Sequence, residues 1–268
     1  MQNIYPLFGQ NRILKKEFLW SLRDYAFLHT QLEYQSYGDG ILEGCRVEVR
    51  EKELAVGKGM VKYNGFIYLL TEELTVPYEA AEKTEILKMQ LSADKRSEDY
   101  ISYGISLILT QNTARKENEI EVCRYKLRHG SKLRSQYKGF EDMATEFDTV
   151  NVIEADWGAI GGKTISPEVT RYYAGLVLEE GGAHPEDINF AYLCLSQTGA
   201  MPVKVVEHYI KNRLEKTGHP WNPSGAGNRK ACDNKELFHG LNQILDFLQK
   251  NRRGVQQNKG IRNRIMLE

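Results

Sequence analysis

The chain has 268 residues, 41% of them apolar and 27% charged. These are ordinary globular proportions, which exclude wholesale disorder and leave room for one large or two small domains. Its 36 basic residues equal its 36 acidic ones, which argues against a dedicated nucleic-acid binder, a class that carries a basic excess.

The opening residues, MQNIYPLFGQNRILKKEF, lack the basic-then-apolar order of a cleavable export signal. No apolar run approaches the ~20 residues that span a bilayer. A soluble, cytoplasmic protein without a membrane span is expected. Residues from about Asn11 to Ser36 then predict one long helix, capped by Asn11 and ended by Gly38. At 100° per residue Leu14, Phe18, Leu22, Tyr25 and Leu32 share one side, while Ile13, Trp20, Phe27 and Tyr34 share the other. One stripe suffices to pack a helix on its own domain. The second implies either a helix sandwiched within the chain or a subunit interface, with Ile13, Trp20, Phe27 and Tyr34 as its anchors.

From Gly38 to Tyr78 the chain reads as short strands broken by glycines. Asn64-Gly65 stands between two apolar-aromatic runs and predicts a type I′ hairpin. Val47 and Val49 alternate with charged residues, and Leu54 and Val56 repeat the pattern after a turn. Three further strands are expected in ILKMQLSA, YISYGISLILT and EIEVCRYKLRHG, separated by hydrophilic loops. Residues 38–134 thus predict an antiparallel β sandwich or barrel. Residues 135–164 are the least regular and predict a linker.

Beyond it the period becomes helical. Ser166-Pro167 and His184-Pro185 mark helix starts, Pro202 a third, and a fourth helix carries Leu237, Leu241, Ile244, Leu245 and Leu248. The second of these helices is expected to bury Ile188, Ala191, Tyr192 and Leu195. A helical domain over 165–250 follows, then a basic tail at 251–268, suited to a solvated end or to docking on an acidic protein surface. The fold class is α+β: N-terminal helical arm 1–37, antiparallel β domain, linker, helical domain, tail.

Chemistry is sparse. In WGAIGGKTIS, Gly162, Lys163 and Thr164 match the end of a phosphate-binding loop, but Trp157 replaces its first glycine and Pro167 sets the helix start late. Cys45, Cys123, Cys194 and Cys232 form no Cys-x-x-Cys pair, so reduced thiols are expected rather than a disulfide framework or zinc ribbon. The histidines show no metal spacing, and no nucleophile elbow occurs. No catalytic residue, cofactor or metal site is expected. A nucleotide-binding enzyme using residues 157–164, and a carbohydrate- or peptide-binding β module, remain the alternatives.

The run GDGILEGCRVEVREKELAVGKGMVKYNGFIYLL resembles a β module of phage tail and baseplate proteins, through Gly59, Val61, Gly65, Ile67 and Tyr68. The chain is similar to a prophage-like family of contractile tail and contractile injection clusters in Gram-positive gut bacteria. That resemblance implies a non-enzymatic structural subunit, in a hetero-oligomer with other baseplate or tail subunits, assembled in the cytoplasm into a phage-tail-like particle.

Overall fold

The computed structural model describes residues 10, 13–96, 101–114, 116–180, 183–218, 220–221, 223 and 232–265, and side chains in these except 93–96, 101 and 251–265. The first helix, α1 (Lys16–Glu33), is followed by six short strands: β1 (Gly40–Gly44), β2 (Val47–Val49), β3 (Glu53–Val56), β4 (Gly59–Tyr63), β5 (Phe66–Leu70) and β6 (Leu74–Pro77). Three longer strands, β7 (Thr84–Arg96), β8 (Ile101–Thr110) and β9 (Glu119–Lys126), precede the small hairpin β10 (Trp157–Ala159) and β11 (Gly162–Thr164). Four helices complete the chain: α2 (Pro167–Glu179), α3 (Pro185–Ser196), α4 (Val203–Lys216) and α5 (Asn234–Ile265).

The class is α+β, with antiparallel pairing dominant, and among the described residues the strands close no barrel. They make three sheets, ordered β11-β10-β1-β4-β5, β2-β3-β6 and β8-β7-β9. The β4–β5 hairpin forms as its sequence requires: Asn64 and Gly65 both adopt positive φ, 48° and 73°, and Tyr63 pairs with Phe66. The alternation of Leu87, Met89 and Leu91 is also realised, since all three are buried. Their neighbours Ile86 and Lys88 are buried as well, so β7 is covered on both faces. Lys88 is accommodated there because its Nζ donates to Glu119 Oε2 at 2.8 Å and to the Ala114 carbonyl at 2.6 Å.

Residues 135–164 do not act as a spacer. Phe140, Met143, Val150, Val152, Ile153 and Ala155 are buried, and β10 pairs in parallel with β1 through Ile41 and Trp157. Irregular backbone hid this apolar content: isolated bridges at Thr149 and Asn151 tie the stretch to Arg134 and Arg124 without a periodic strand. One buried cluster therefore runs from Ile41 and Leu54 through Trp157 to Leu241 and Leu248. Sheets and helices share a core.

Two glycines explain how these strands approach. A Cβ on Gly158 would lie 2.2 Å from the Gly38 carbonyl oxygen, so any larger residue there would push the arm root and β10 apart. Gly44, at the end of β1, has φ +71°, and its Cβ would meet the Lys58 carbonyl oxygen at 2.2 Å. Gly44→Ala is expected to cost about 2 kcal/mol or more in urea unfolding, from strain alone. A loss below about 0.5 kcal/mol would show that the turn relaxes freely.

The helices begin where expected. The Ser166 hydroxyl accepts from Glu168 N at 3.2 Å, ahead of Pro167 at the first turn of α2. His184 and Asp187 form a capping box at α3. The buried face of α3 differs from expectation. Asp187, Phe190, Ala191 and Cys194 point inward, while Tyr192 and Leu195 are exposed. Asp187 draws that face toward α4 by polar bonds, which an apolar count overlooks. The basic stretch after 250 continues the helix backbone of α5 to Ile265; its side chains lie outside those described.

Acid should loosen one corner of this framework. Arg134 grips Asp142 with two bonds of 2.6 and 2.7 Å. That grip holds the Asp142 carboxyl well below the usual carboxylate range, against the opposing effect of burial. Lys88 likewise lowers Glu119, and Arg128 lowers Asp148. A depressed folded-state pKa contributes stability that is complete above the unfolded value near ~4 and is lost as pH falls through the folded value. The urea midpoint is therefore expected to hold from about pH 7 to 5 and to drop below about pH 4. Asp142→Asn should flatten part of that drop, and an unchanged acid slope would contradict the assignment.

Candidate interaction surface

The arm α1 stands out because none of its residues is buried. The expected cap Asn11 lies outside the described residues; the helix starts at Lys16, with Lys15 extended and making no side-chain cap bond. Both apolar stripes meet solvent. On one, Leu14, Leu22, Tyr25 and Leu32 are exposed, so the stripe expected to pack on the chain's own domain does not. On the other, Ile13 is 81% exposed, Trp20 49% and Phe27 46%, while Tyr34 is half-buried at the helix end. Among the described residues neither stripe is enclosed by the chain, which argues against the sandwiched arrangement.

The four predicted anchors meet different surroundings. Ile13 precedes the helix, and Trp20 carries the Lys16 ammonium over its ring at 5.1 Å. Phe27 lies 5.4 Å from Phe66 of β5, and Phe66 stacks on Tyr103 of β8 at 3.8 Å. Tyr103 is itself exposed. The result is an aromatic ridge running from the arm across two sheets, with Phe27 at the junction. Tyr34 packs edge-on against Tyr37 at 5.1 Å.

Sequence reasoning missed how the arm is fastened. Lys62 of β4 is buried, and its Nζ donates to the carbonyls of Tyr34 at 2.7 Å, Gln35 at 3.1 Å and Tyr37 at 2.7 Å. These carbonyls belong to the cap residue Tyr34 and to the turn just beyond α1, so the cation satisfies the acceptors of that turn and complements the negative end of the helix dipole. Gly38 N to Ala159 O at 2.9 Å and Gly161 N to Ser36 O at 3.0 Å strap the same root to the β10–β11 hairpin. The base of the arm is fixed while its body remains open. Only the position of Lys62 before Asn64-Gly65 was visible in sequence, and nothing there signals a cap.

The phosphate-loop alternative fails on geometry. Gly162, Lys163 and Thr164 are strand residues paired with Ala159, Gly158 and Trp157, so this run does not form the loop into a helix that cradles phosphate. Lys163 Nζ bonds Asp156 Oδ1 at 2.8 Å, and the Thr164 hydroxyl donates to Met201 O at 2.7 Å. The cysteines Cys45, Cys123, Cys194 and Cys232 are free thiols. Burial pushes the thiols of Cys45, Cys194 and Cys232 up to about 12, which suppresses the nucleophilic thiolate. No described group of three or more His, Cys, Asp and Glu is placed to hold a metal. No described helix is long and apolar enough to cross a membrane.

A concave feature of about 490 Å³ opens between Gly44–Val47 and the start of α2. Ile41, Val122, Val152 and Trp157 form its apolar floor, with Arg46, Arg171 and Glu168 at the rim. Glu168 is exposed to this cleft, yet desolvation by its surroundings raises its carboxyl above the ordinary value, opposed by Arg46.

No family model and no curated protein matches the sequence. Among solved structures the fold is similar to the crystal structure of TssK, at a TM-score of 0.44 and 8% identity over 92% of this chain and 71% of that one. It is also similar to a chain of the TssK-TssF-TssG baseplate subcomplex of the type VI secretion system, at 0.39 and 8% identity over 91% of this chain and 100% of that one. A chain of the type VI secretion baseplate complex gives 0.37 and 9% identity over 91% and 100%.

Proposed function

We propose that this chain is a non-enzymatic structural subunit of a phage-tail-like contractile particle, in its baseplate or fibre-attachment region. It acts through contacts with other baseplate or tail subunits, is made in the cytoplasm, and is built into the particle there. What carries the proposal is α1, a helix with apolar stripes on opposite sides and no buried residue. An isolated chain has no use for that much uncovered aromatic surface, whereas a partner subunit that encloses the arm would bury both stripes. Ile13, Trp20, Phe27 and Tyr34 are the proposed anchors, joined by Leu22 and Tyr25 from the opposite side.

The choice of a contractile particle over any other assembly comes from the resemblance of residues 38–70 to tail and baseplate modules. The narrower placement in a family of Gram-positive gut bacteria has the same single source. The fold likeness to TssK is of the same class but, at a TM-score of 0.44, bears none of the weight.

Coproduction with the products of neighbouring genes, followed by size-exclusion chromatography and electron microscopy, tests the proposal. A ring- or wedge-shaped complex that retains the chain is expected. Elution as a free monomer beside every neighbour would refute it.

A further inference from the structure

The pairing of β2 leaves one of its edges open. Val47 faces Val56 and Val49 faces Leu54 across β2–β3, while the flanking bonds, Gly57 N to Arg46 O and Arg50 N to Glu53 O, are both 2.9 Å. Antiparallel ladders alternate bonded and non-bonded pairs. Val47 and Val49 therefore turn their N–H and C=O groups away from β3. Among the described residues no second strand pairs with β2, and no described backbone group bonds these atoms.

The same segment, Gly44–Val47, is one wall of the 490 Å³ cleft. Its opposite wall comes from α2, through Glu168, Arg171 and Tyr172. That volume falls in the range of clefts that take a small ligand or a few side chains. A whole helix, ~10 Å across, does not fit such a space. Two arginines against one glutamate give the rim a positive excess. Arg46 is exposed and makes no ion pair with a described residue.

We propose that this cleft is a docking groove for an extended segment of a partner protein, which adds as a strand to the open edge of β2. The segment lowers an apolar side chain onto the floor around Trp157 and sets a carboxylate against Arg46. Its chemistry is therefore alternating apolar and acidic. Main-chain pairing supplies affinity and the alternate side chains supply selectivity, as in other strand-addition sites. The groove is separate from the α1 arm, so the two assignments stand or fall independently.

The test is panning of a phage-displayed library of random peptides of about eight residues, an ordinary strand length, against the full chain. Enriched peptides are expected to alternate apolar and acidic residues. A synthetic copy should bind about tenfold or more weakly to Arg46→Glu and to Val47→Pro, and equally well to Trp20→Ala. Proline is compatible with an edge strand while removing the outward N–H. Should Val47→Pro fail to fold by circular dichroism, methylation of alternate amides of the peptide carries the same prediction. Absence of any enriched peptide would overturn the proposal. So would binding indifferent to both Arg46→Glu and amide methylation.

Discussion

Replacing Asp187 by alanine is expected to lower the stability of the folded chain by about 3–5 kcal/mol, the range for breaking a buried ion pair by removing one partner. Asp187 is fully buried and fastens three helices at once. Its Oδ1 accepts from Arg213 Nε at 2.5 Å and from the Tyr209 hydroxyl at 2.8 Å, and its Oδ2 from Arg213 Nη2 at 2.8 Å. The Tyr209 hydroxyl lies 2.6 Å from that of Tyr173 in α2, and Phe190 stacks on the Tyr209 ring at 3.8 Å. Oδ2 also accepts from His184 N at 3.1 Å, completing the cap of α3. Alanine strands the Arg213 guanidinium in a space where burial already disfavours its charge, and uncaps the helix as well. Urea unfolding reads the loss directly. A second substitution separates the causes: with Arg213→Met added to Asp187→Leu, much of the stability should return, because no charge is left unpaired. A loss under about 1 kcal/mol for Asp187→Ala would mean that water replaces the lost partner and that the network does not hold the helices together.

Trp20→Ala is expected to weaken assembly by a few kcal/mol, the scale of an aromatic anchor at an interface, while moving monomer stability by less than about 0.5 kcal/mol. Half of the Trp20 side chain is open to solvent in the isolated chain, so its removal leaves no cavity in the core. Phe27→Ala should differ instructively, since Phe27 also touches Phe66 and would lose some intrachain packing along with assembly. Analytical ultracentrifugation of the complex and thermal unfolding of the monomer measure the two effects separately. If Trp20→Ala destabilises the monomer and leaves the complex intact, the arm is an intrachain element and its assignment as an interface is wrong.

Much of the local structure follows from local sequence. Asn64-Gly65 made its hairpin because both residues tolerate positive φ. Ser166-Pro167 and His184-Pro185 opened helices because their side chains accept the first free amides. Leu237, Leu241, Ile244, Leu245 and Leu248 are all buried, as their helical spacing demands. The doubly apolar character of α1 was equally legible, since periodicity needs no partner to be counted.

What remained hidden depends on contacts distant in the chain. The stretch 135–164 has no period of its own, so its role as core filler and as a parallel neighbour of β1 emerged only when Ile41 met Trp157. Lys62 under the end of α1 and Asp187 beneath Arg213 are single polar residues, and only the fold decides whether such a residue faces water or a buried partner. The same holds for Gly162-Lys163-Thr164, whose letters fit a phosphate loop but whose backbone is a strand. Sequence thus determined most of the elements, the caps of α2 and α3 and the surplus apolar face of the arm, because these arise from bonds and periodicities within a few residues. Tertiary structure alone decided which of those faces stay uncovered and which charges are buried, because exposure is a property of everything that packs nearby.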